Sequence, residues 1–227
     1  MTESNASRPP YRLAFCPRAE AERVAQSPEA ARDVFSPAEL EGLDPLIFKR
    51  RLDRVSGRLA AKRALCEHFE AEHGWKARLD ELEIFNDEAG RPTLRLPAGA
   101  PSTPSFSIAH CAEGGAAAVG AGGRRVGIDC ETVIQRPSQI FDFVRAPGDD
   151  AANDPEAQTR LWTGKEAALK LLGLGLNADA RAVLLGRAEA AFEDRPAQAW
   201  RELGSPRVGL AYQRTDAALI AVAFTGD

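Results

Sequence analysis

The sequence predicts an α+β fold: a pseudo-dimer of two similar lobes, each a helix packed on a small, mostly antiparallel sheet. A long helical pattern and short β-like runs occur in the first half of the chain, and the same combination returns in the second half. Between the halves, Pro97–Pro104 is rich in Pro, Gly and Ser, which is typical of a boundary or crossover. We therefore divide the chain into an N-terminal lobe, residues 1–104, and a C-terminal lobe, residues 105–227.

The first lobe is predicted from helix caps and turn residues. Ser36-Pro37-Ala38-Glu39 has the form of a capping box with Pro at the first helical position, so a short helix begins there. Apolar residues at helical spacing then predict a long helix over 47–73 that ends at Gly74. Short strands at 82–85 and 93–96 flank a turn that ends at Gly90.

The second lobe contains the same kinds of element. A strand is predicted at 106–110, followed by a hairpin of the β-like runs 116–121 and 126–133 around Gly122-Gly123. Asp154 as N-cap, Pro155 at the first position and Gly173 at the end define a second helix. Three further β-like runs close the chain: 182–185, 207–213 and 217–224.

Composition excludes several classes of protein. A net charge of -4 argues against a general nucleic-acid binder, and no apolar run is long enough to cross a membrane. The first ten residues lack a basic region followed by an apolar stretch, so we expect a cytoplasmic protein. The four cysteines have no metal-binding spacing, which indicates reduced and mostly buried thiols. With both lobes on one chain, a monomer is expected.

Basic residues crowd the first half of the long helix. Arg51, Arg54, Arg58 and Lys62 fall on one stripe of that helix. The ordinary interpretation of such a stripe is a solvated face. The alternative is a wall of guanidinium groups that binds the phosphates of a small polyphosphate ligand.

Acidic residues of the second lobe form a candidate site for phosphoryl chemistry. In a strand, Asp129 and Glu131 project to the same face, whereas Ile128 and Cys130 face the core. On the following helix, Glu166 and Lys170 lie one turn apart on one face. Carboxylates from the strand and this Glu/Lys pair can meet around one hard cation and one phosphate ester, which predicts magnesium-dependent chemistry.

Five motifs, in this order along the chain, resemble those of the surfactin-type 4'-phosphopantetheinyl transferases. The two signature motifs are Gly127-Ile128-Asp129-x-Glu131 and Trp162-x-x-Lys165-Glu166-Ala167-x-x-Lys170. The others are Gly57-Arg58-Leu59-Ala60-Ala61-Lys62, Gly90-Arg91-Pro92 and Phe106-Ser107-Ile108-Ala109-His110. Together they cover residues 35 to 176 in outline.

The resemblance implies a reaction on coenzyme A as co-substrate. The 4'-phosphopantetheine arm would move to a serine of an apo acyl or peptidyl carrier protein, with release of adenosine 3',5'-bisphosphate. Mg²⁺ is the implied cofactor, with Mn²⁺ as an alternative, because charge develops on pyrophosphate oxygens during the transfer. Secondary metabolism is the expected setting, and fatty-acid, polyketide, non-ribosomal peptide and siderophore carriers all stay open.

The resemblance also implies a role for each site residue. Asp129, Glu131 and Glu166 would hold the metal, and Glu166 is either a ligand or the general base that deprotonates the carrier serine, directly or through water. Lys170 would pair with the pyrophosphate, so that Asp129, Glu166 and Lys170 form the catalytic set. The residues implied in coenzyme binding, besides Lys170, are Arg51, Arg58, Arg91, Ser107, His110 and Lys165. Arg50 and Arg54 are alternatives to Arg51.

The chain departs from the family pattern in two places, and two other classes of function compete. Ala109 and Cys111 stand where hydroxyl residues are usual, and 135–153 lacks the usual element after Glu131, which makes that region a candidate for carrier recognition. The first rival is a non-catalytic module that binds coenzyme A or carrier proteins. The second is another magnesium-dependent phosphotransferase, against which the absence of a Gly-x-x-x-x-Gly-Lys-Ser/Thr loop counts.

Overall fold

The computed structural model describes residues 10–137, 141–149, 154–175, 178–216 and 218–226. The helices in these ranges are α1 (Arg18–Gln26), α2 (Pro28–Arg32), α3 (Pro37–Leu43), α4 (Phe48–His73), α5 (Pro155–Leu171) and α6 (Asp194–Glu202). The strands are β1 (Tyr11–Pro17), β2 (Glu83–Asn86), β3 (Pro92–Arg95), β4 (Phe106–Cys111), β5 (Gly114–Gly120), β6 (Val126–Thr132), β7 (Val183–Leu185), β8 (Ala190–Phe192), β9 (Val208–Arg214) and β10 (Ala218–Thr225).

Two three-stranded antiparallel sheets form the centre of the molecule, and each sheet with its packed helix is called a lobe of the structure, whichever side of residue 104 its strands come from. The first has the order β1-β5-β4 and packs against α4, whereas the second has the order β6-β10-β9 and packs against α5. Two-stranded ribbons, β2-β3 and β7-β8, lie beside them. This arrangement confirms the predicted α+β fold of two lobes, each a helix on a small antiparallel sheet.

The helix boundaries follow the local signals in the sequence. Ser36 and Glu39 form the predicted capping box of α3, with each side chain accepting from the other residue's backbone N–H. Gly74 ends α4 in the left-handed conformation at φ 68°, which costs glycine nothing. The Asp154 side chain accepts a hydrogen bond from the backbone of Ala157 and so caps α5.

The predicted hairpin of β5 and β6 is wrong. β5 pairs with β1 and β4, whereas β6 pairs with β10, so the two runs belong to different sheets of the described structure. Gly122 and Gly123 both have positive φ, as a tight turn requires, but this turn leads the chain from the first sheet into the second. β6 pairs instead with β10, a strand near the end of the chain that matches it over seven antiparallel residue pairs.

The sheet of the first lobe draws strands from both sides of Pro97–Pro104. β4 and β5 follow that segment, yet β5 lies between β4 and the N-terminal strand β1, which the sequence pattern did not reveal. Strand pairing therefore crosses the proposed boundary between 104 and 105, and the division into 1–104 and 105–227 stays a prediction.

The two sheets meet along a seam between β4 and β6. Serine hydroxyls link the strands there: Ser105 Oγ accepts from the backbone nitrogen of Val126 at 3.1 Å, and Ser107 Oγ accepts from that of Ile128 at 3.2 Å. At the far end of the seam, Cys111 Sγ lies 3.4 Å from Cys130 Sγ. Both are free thiols, as are Cys16 and Cys66, in agreement with the sequence prediction.

Candidate active site

Close packing of β6 against α5 brings the acidic residues together. A Cβ atom at Gly127 would collide with the backbone of Ala167 and Leu171, so glycine is needed for this approach. Two residues further along β6, Asp129 lies near Lys170 of α5, whose Nζ donates to Asp129 Oδ1 at 2.8 Å. Ile128 and Cys130 are buried in the core on the opposite face of β6, as predicted.

The carboxylates of this cluster influence one another strongly. Burial, the negative charge of Asp129 and, to a smaller extent, that of Glu131 together raise the pKa of Glu166 to about 7, against the opposing effect of Lys170. Burial and then Asp129 also raise the pKa of Glu131, against the effect of Arg136. The cluster therefore holds more negative charge than Lys170 and Arg136 neutralise, which favours a bound cation.

The donor set fits a magnesium ion in its chemistry. Asp129 Oδ2 is buried and has no hydrogen-bond partner among the described residues, so one hard oxygen is free to coordinate. No three His, Cys, Asp or Glu side chains of the described ranges already stand as a metal-binding group. Glu131 Oε2 accepts from Arg136 at 3.0 Å. That bond uses one of the two oxygens of Glu131, so its other oxygen, like Asp129 Oδ2, stays available to a cation.

Arg136 is a neighbour of the site that the sequence analysis missed. Its guanidinium is buried and donates to Thr159 Oγ1 at 2.8 Å as well as to Glu131. It also lies 5.6 Å from the ring centroid of Trp162, which gives that motif residue a packing role. The sequence offered one signal for this contact: Arg136 lies between the acidic end of β6 and helix α5, which carries the motif residue Trp162.

A cationic cavity of about 460 Å³ lies in the first lobe, and we call it the arginine cavity. His110 and Arg58, both predicted to bind the coenzyme, line it. The other lining residues are Leu46, Arg50, Asp53, Arg54, Gly57, Asn86, Gly90, Pro92 and Ile108. Arg58 is largely buried within 3.8 Å of Glu39, and burial, as the larger effect, lowers the pKa of its guanidinium. Of the four residues of the basic stripe, Arg54 and Arg58 line this cavity, whereas Arg51 and Lys62 do not.

Arg51 lies apart from this cavity, which corrects the preference for it. Its Nε and Nη2 donate to the carbonyl oxygens of Leu43 and Asp44, at 3.2 and 2.8 Å, at the end of α3. Helical geometry explains the difference: Arg50, Arg54 and Arg58 are spaced by four residues and share a face, whereas Arg51 is rotated away. The alternatives Arg50 and Arg54 thus replace Arg51 in the cationic wall.

A second cavity of about 550 Å³ brings the two lobes together, and we call it the lysine cavity. Arg91 and Ser107 of the first sheet region and Lys170 of α5 all line it. It shares Gly90, Pro92 and Ile108 with the arginine cavity, so the two cavities are neighbours, and we call them together the groove. Because Lys170 also bonds to Asp129, the groove ends at the acidic cluster.

Two of the lining residues already have partners in the protein. Arg91 donates to Asp87 Oδ2 from Nε at 2.8 Å, and its side chain stays mostly exposed, so it is free to turn towards a ligand. The Ser107 hydroxyl accepts from Ile128 at the seam, which leaves its proton available as a donor. The structure thus places both at the groove, with Ser107 also holding the sheets together.

Lys165 does not join the groove, contrary to its predicted contact with the coenzyme. Its side chain is 0% exposed, and its Nζ donates to Val144 O at 2.9 Å and to Asp149 Oδ2 at 2.6 Å. The helical rotation between neighbouring residues points Lys165 away from Glu166 and towards the segment 141–149.

The part of the chain that carries the acidic cluster matches a known protein family. A family model of the 4'-phosphopantetheinyl transferase superfamily matches residues 125–214, which include β6 and α5. A curated holo-[acyl-carrier-protein] synthase of Halalkalibacterium halodurans is 33% identical over 91 residues, which make up 38% of this chain and 71% of that protein. The synthase of Listeria monocytogenes serotype 4a is 31% identical over 96 residues, 42% of this chain and 81% of that protein.

Two solved structures of similar description cover 48% and 95% of the chain. A holo-(acyl-carrier-protein) synthase from Bacillus anthracis in complex with CoA (3',5'-ADP) superposes with a TM-score of 0.41 at 21% identity, covering 48% of this chain and 91% of that one. Holo-ACP-synthase from Plasmodium yoelii covers 95% of this chain and 91% of its own, with a TM-score of 0.30 and 10% identity.

Proposed function

The chain belongs to the 4'-phosphopantetheinyl transferase superfamily, and from this premise we propose that it transfers the 4'-phosphopantetheine arm of coenzyme A to a serine of an apo carrier protein. The observation that carries the proposal is the junction at Lys170, which lines the groove and bonds to Asp129 of the acidic cluster. A groove for a polyanion ends there at carboxylates suited to a cation and a proton transfer.

The groove suits coenzyme A in its distribution of charge. Its arginine cavity offers His110, Arg58 and the neighbouring Arg50 and Arg54 to the 3'-phosphate. Arg91 and Ser107 line the adjoining lysine cavity, where the nucleotide would continue. Lys170 then meets the pyrophosphate beside Asp129, so the bond to be broken lies next to the carboxylates.

The reaction needs a base, a cationic partner for the leaving group and a nucleophile. The carrier serine Oγ attacks the β-phosphorus, a new P–O bond forms, and the bond to the bridging oxygen breaks to release adenosine 3',5'-bisphosphate. Glu166 takes the serine proton in this proposal, directly or through a water. Its pKa, raised to about 7 by burial and by neighbouring carboxylates, lets it hold a proton at neutral pH. Lys170 stabilises charge on the departing phosphate.

Asp129 would hold Mg²⁺ together with Glu131, of which Arg136 engages only one oxygen, and Glu166 would be a third ligand where it does not act as the base. A bound Mg²⁺ neutralises charge on the pyrophosphate oxygens. Mn²⁺ accepts the same oxygen ligands and stays the alternative.

We place the chain in the surfactin-type group of the superfamily. The family model matches residues 125–214, so α4 and the sheet β1-β5-β4, which form the first lobe, lie outside it. That lobe supplies the arginine cavity, and the second lobe supplies the acidic cluster. Both parts of the site therefore come from one chain, which supports a monomer.

Intact-protein mass spectrometry tests the proposal directly. Apo acyl and peptidyl carrier proteins are incubated with the protein, coenzyme A and Mg²⁺, with EDTA replacing the metal as control. We expect each accepted carrier to gain the mass of one phosphopantetheine only when metal is present. Coenzyme binding without a gain on any carrier would instead favour a non-catalytic binding module.

A further inference from the structure

We propose that Cys111 and Cys130 are a redox modification site: a peroxide joins them in a reversible disulfide that ties the two sheets together at their seam. The two cysteines are 19 residues apart in the chain and lie in different sheets, yet their Sγ atoms are 3.4 Å apart. Cys111 is also a departure from the family pattern, and the hydroxyl residue that is usual there has no sulfur with which to form this bond. The site is independent of the proposed transfer reaction.

Strand geometry points the two thiols at each other. Ser107 and Cys111 share one face of β4, because an even number of residues separates them, and Ser107 Oγ accepts from the backbone nitrogen of Ile128 on β6. Cys130 shares the core-facing side of β6 with Ile128. The face of β4 that meets β6 therefore presents Cys111 to the face that carries Cys130. The contact follows from the packing of two strands and does not depend on two long, mobile side chains.

The two sulfur atoms need only a small movement to form the bond. Disulfide sulfurs lie about 2 Å apart, so these two must approach by about 1.4 Å. Cys111 is the last residue of β4, beside the turn to β5, and we expect its side chain to make most of this movement. Cys130 lies within β6, where it pairs with Ile220 of β10, and is held in place.

The exposure of the two thiols sets the order of the chemistry. Cys111 is partly exposed, whereas Cys130 is 1% exposed and belongs to the core. The Cys111 sulfur therefore attacks the peroxide: an S–O bond forms, the O–O bond breaks, and one water leaves. The Cys130 sulfur then attacks the sulfenic acid of Cys111, so that an S–S bond forms, the S–O bond breaks and a second water leaves. The two thiols lose two electrons and two protons, which reduce the peroxide to water.

The bond would fix the strands that hold both parts of the candidate site. β4 carries His110, which lines the arginine cavity, and β6 carries Asp129 of the acidic cluster. The disulfide would form on the face of β6 opposite to Asp129 and Glu131, so it leaves their carboxylates uncovered. Closing the loop 111–130 restricts the unfolded chain, and the oxidised protein should therefore be the more stable form.

Peptide mapping of the reduced protein after treatment with hydrogen peroxide tests the site. Trypsin cuts after Arg124 and Arg125, between the two cysteines, so the disulfide would appear as a linked pair of peptides under non-reducing conditions. We expect the intact protein to lose the mass of two hydrogens and dithiothreitol to restore it. Links between two molecules or between another pair of cysteines, in place of this one, would overturn the proposal. Unlinked Cys111 and Cys130 after full oxidation would also overturn it.

Serine variants test the order of attack and supply a matched control. Cys66→Ser should still form the link, because Cys66 Sγ donates to the carbonyl oxygen of Ala77 in a different part of the core. Cys130→Ser should stop at the sulfenic acid of Cys111, which dimedone traps as an adduct. Cys111→Ser changes a partly exposed position, should leave Cys130 unoxidised, and keeps the test valid if Cys130→Ser does not fold. Rapid oxidation of Cys130 in Cys111→Ser would contradict the proposed order.

Thermal unfolding measures whether the link stabilises the seam. Oxidised wild-type protein should have a Tm about 5 °C above that of the reduced protein, and Cys111→Ser should show no such rise after the same treatment. A linked protein with a Tm equal to or below that of the reduced form would overturn the role of the bond as a tie between the sheets. Neither measurement uses coenzyme A or a carrier protein, so failure of the proposed function leaves this test unchanged.

Discussion

The two lobes use the same packing devices and differ in the charge that they present to the groove. A glycine contact brings the central helix against its sheet in each lobe: Gly115 meets Gly57 of α4, and Gly127 meets Ala167 of α5. Both helices also carry a lysine that is 0% exposed and bonded to a carboxylate at 2.6 Å: Lys62 with Glu39, and Lys165 with Asp149. The shared devices therefore belong to the fold.

The difference between the lobes lies in other residues of the same two helices. α4 turns Arg50, Arg54 and Arg58 towards the groove, whereas α5 places Lys170 in the groove and Glu166 in the acidic cluster. In the proposed reaction the first lobe would bind a phosphate, and the second would bind a cation and accept a proton. A buried lysine in a sequence motif can therefore be structural while a neighbouring residue of the same helix lies at the site.

The largest expected effect tests the chemical role of the second lobe. Asp129→Ala should lower the single-turnover rate by at least about a thousandfold, because a metal ligand and the partner of Lys170 are both lost. The fold should persist, as circular dichroism can check. Near-wild-type turnover would show that Asp129 is not a ligand.

Lys62→Met tests whether the lysine of the first lobe is only structural. Loss of this buried charge leaves Glu39 and the carbonyl oxygens of Val34 and Leu79 without their donor, so we expect the free energy of unfolding to fall by about 3 kcal/mol in urea titrations. Because Glu39 is also 3.8 Å from Arg58, KM for coenzyme A should rise while KM for the carrier does not. A raised KM for the carrier with an unchanged KM for coenzyme A would contradict this structural role of Lys62.

The excess of negative charge in the second lobe predicts a pH-dependent effect. Glu166 has its pKa raised from 4.5 to about 7 on folding, so the folded protein holds this proton more tightly than the unfolded chain. Stability of the metal-free protein should therefore fall as pH rises from about 4.5 to about 7 and stay lower above it. Glu166→Gln removes this cost, and it should raise the free energy of unfolding by about 2 kcal/mol at pH 8 in EDTA, with little change at pH 4.

Denaturation of both proteins at the two pH values measures this effect. Added Mg²⁺ should reduce the difference between wild-type and Glu166→Gln proteins at pH 8, since the ion neutralises the same carboxylate. An equal difference at both pH values would contradict the assignment.

The smallest expected effects compare two basic residues of the first lobe. His110→Ala should raise KM for coenzyme A about tenfold and leave the 3'-dephospho form nearly unaffected, because His110 lines the arginine cavity. Arg51→Ala is its control, since that guanidinium is bonded to the end of α3, and it should change neither KM by more than about twofold. Equal losses with both coenzymes in His110→Ala would contradict 3'-phosphate binding.

Local chemistry made much of this protein predictable from its sequence. The capping box at Ser36, the Pro at position 155 and the glycines at 74 and 173 place helix ends within a residue or two, because each acts through its own backbone. Strand alternation likewise put Asp129 and Glu131 on the face opposite Ile128 and Cys130, since successive side chains in a strand alternate.

Only the tertiary structure decided which neighbour each element and each charge would have. β5 and β6 looked like a hairpin, but β1 and β10, from the two ends of the chain, offered better partners, and long-range pairing leaves no local trace. Residue spacing alone could not show that Arg51 and Lys165 point away from the groove. A helix fixes the angle between neighbouring side chains, but the packing around the helix decides which of its faces lines the groove. The sequence thus determined the helices, the strand faces and the residue types of the site, whereas sheet pairing and burial decided which residues meet there.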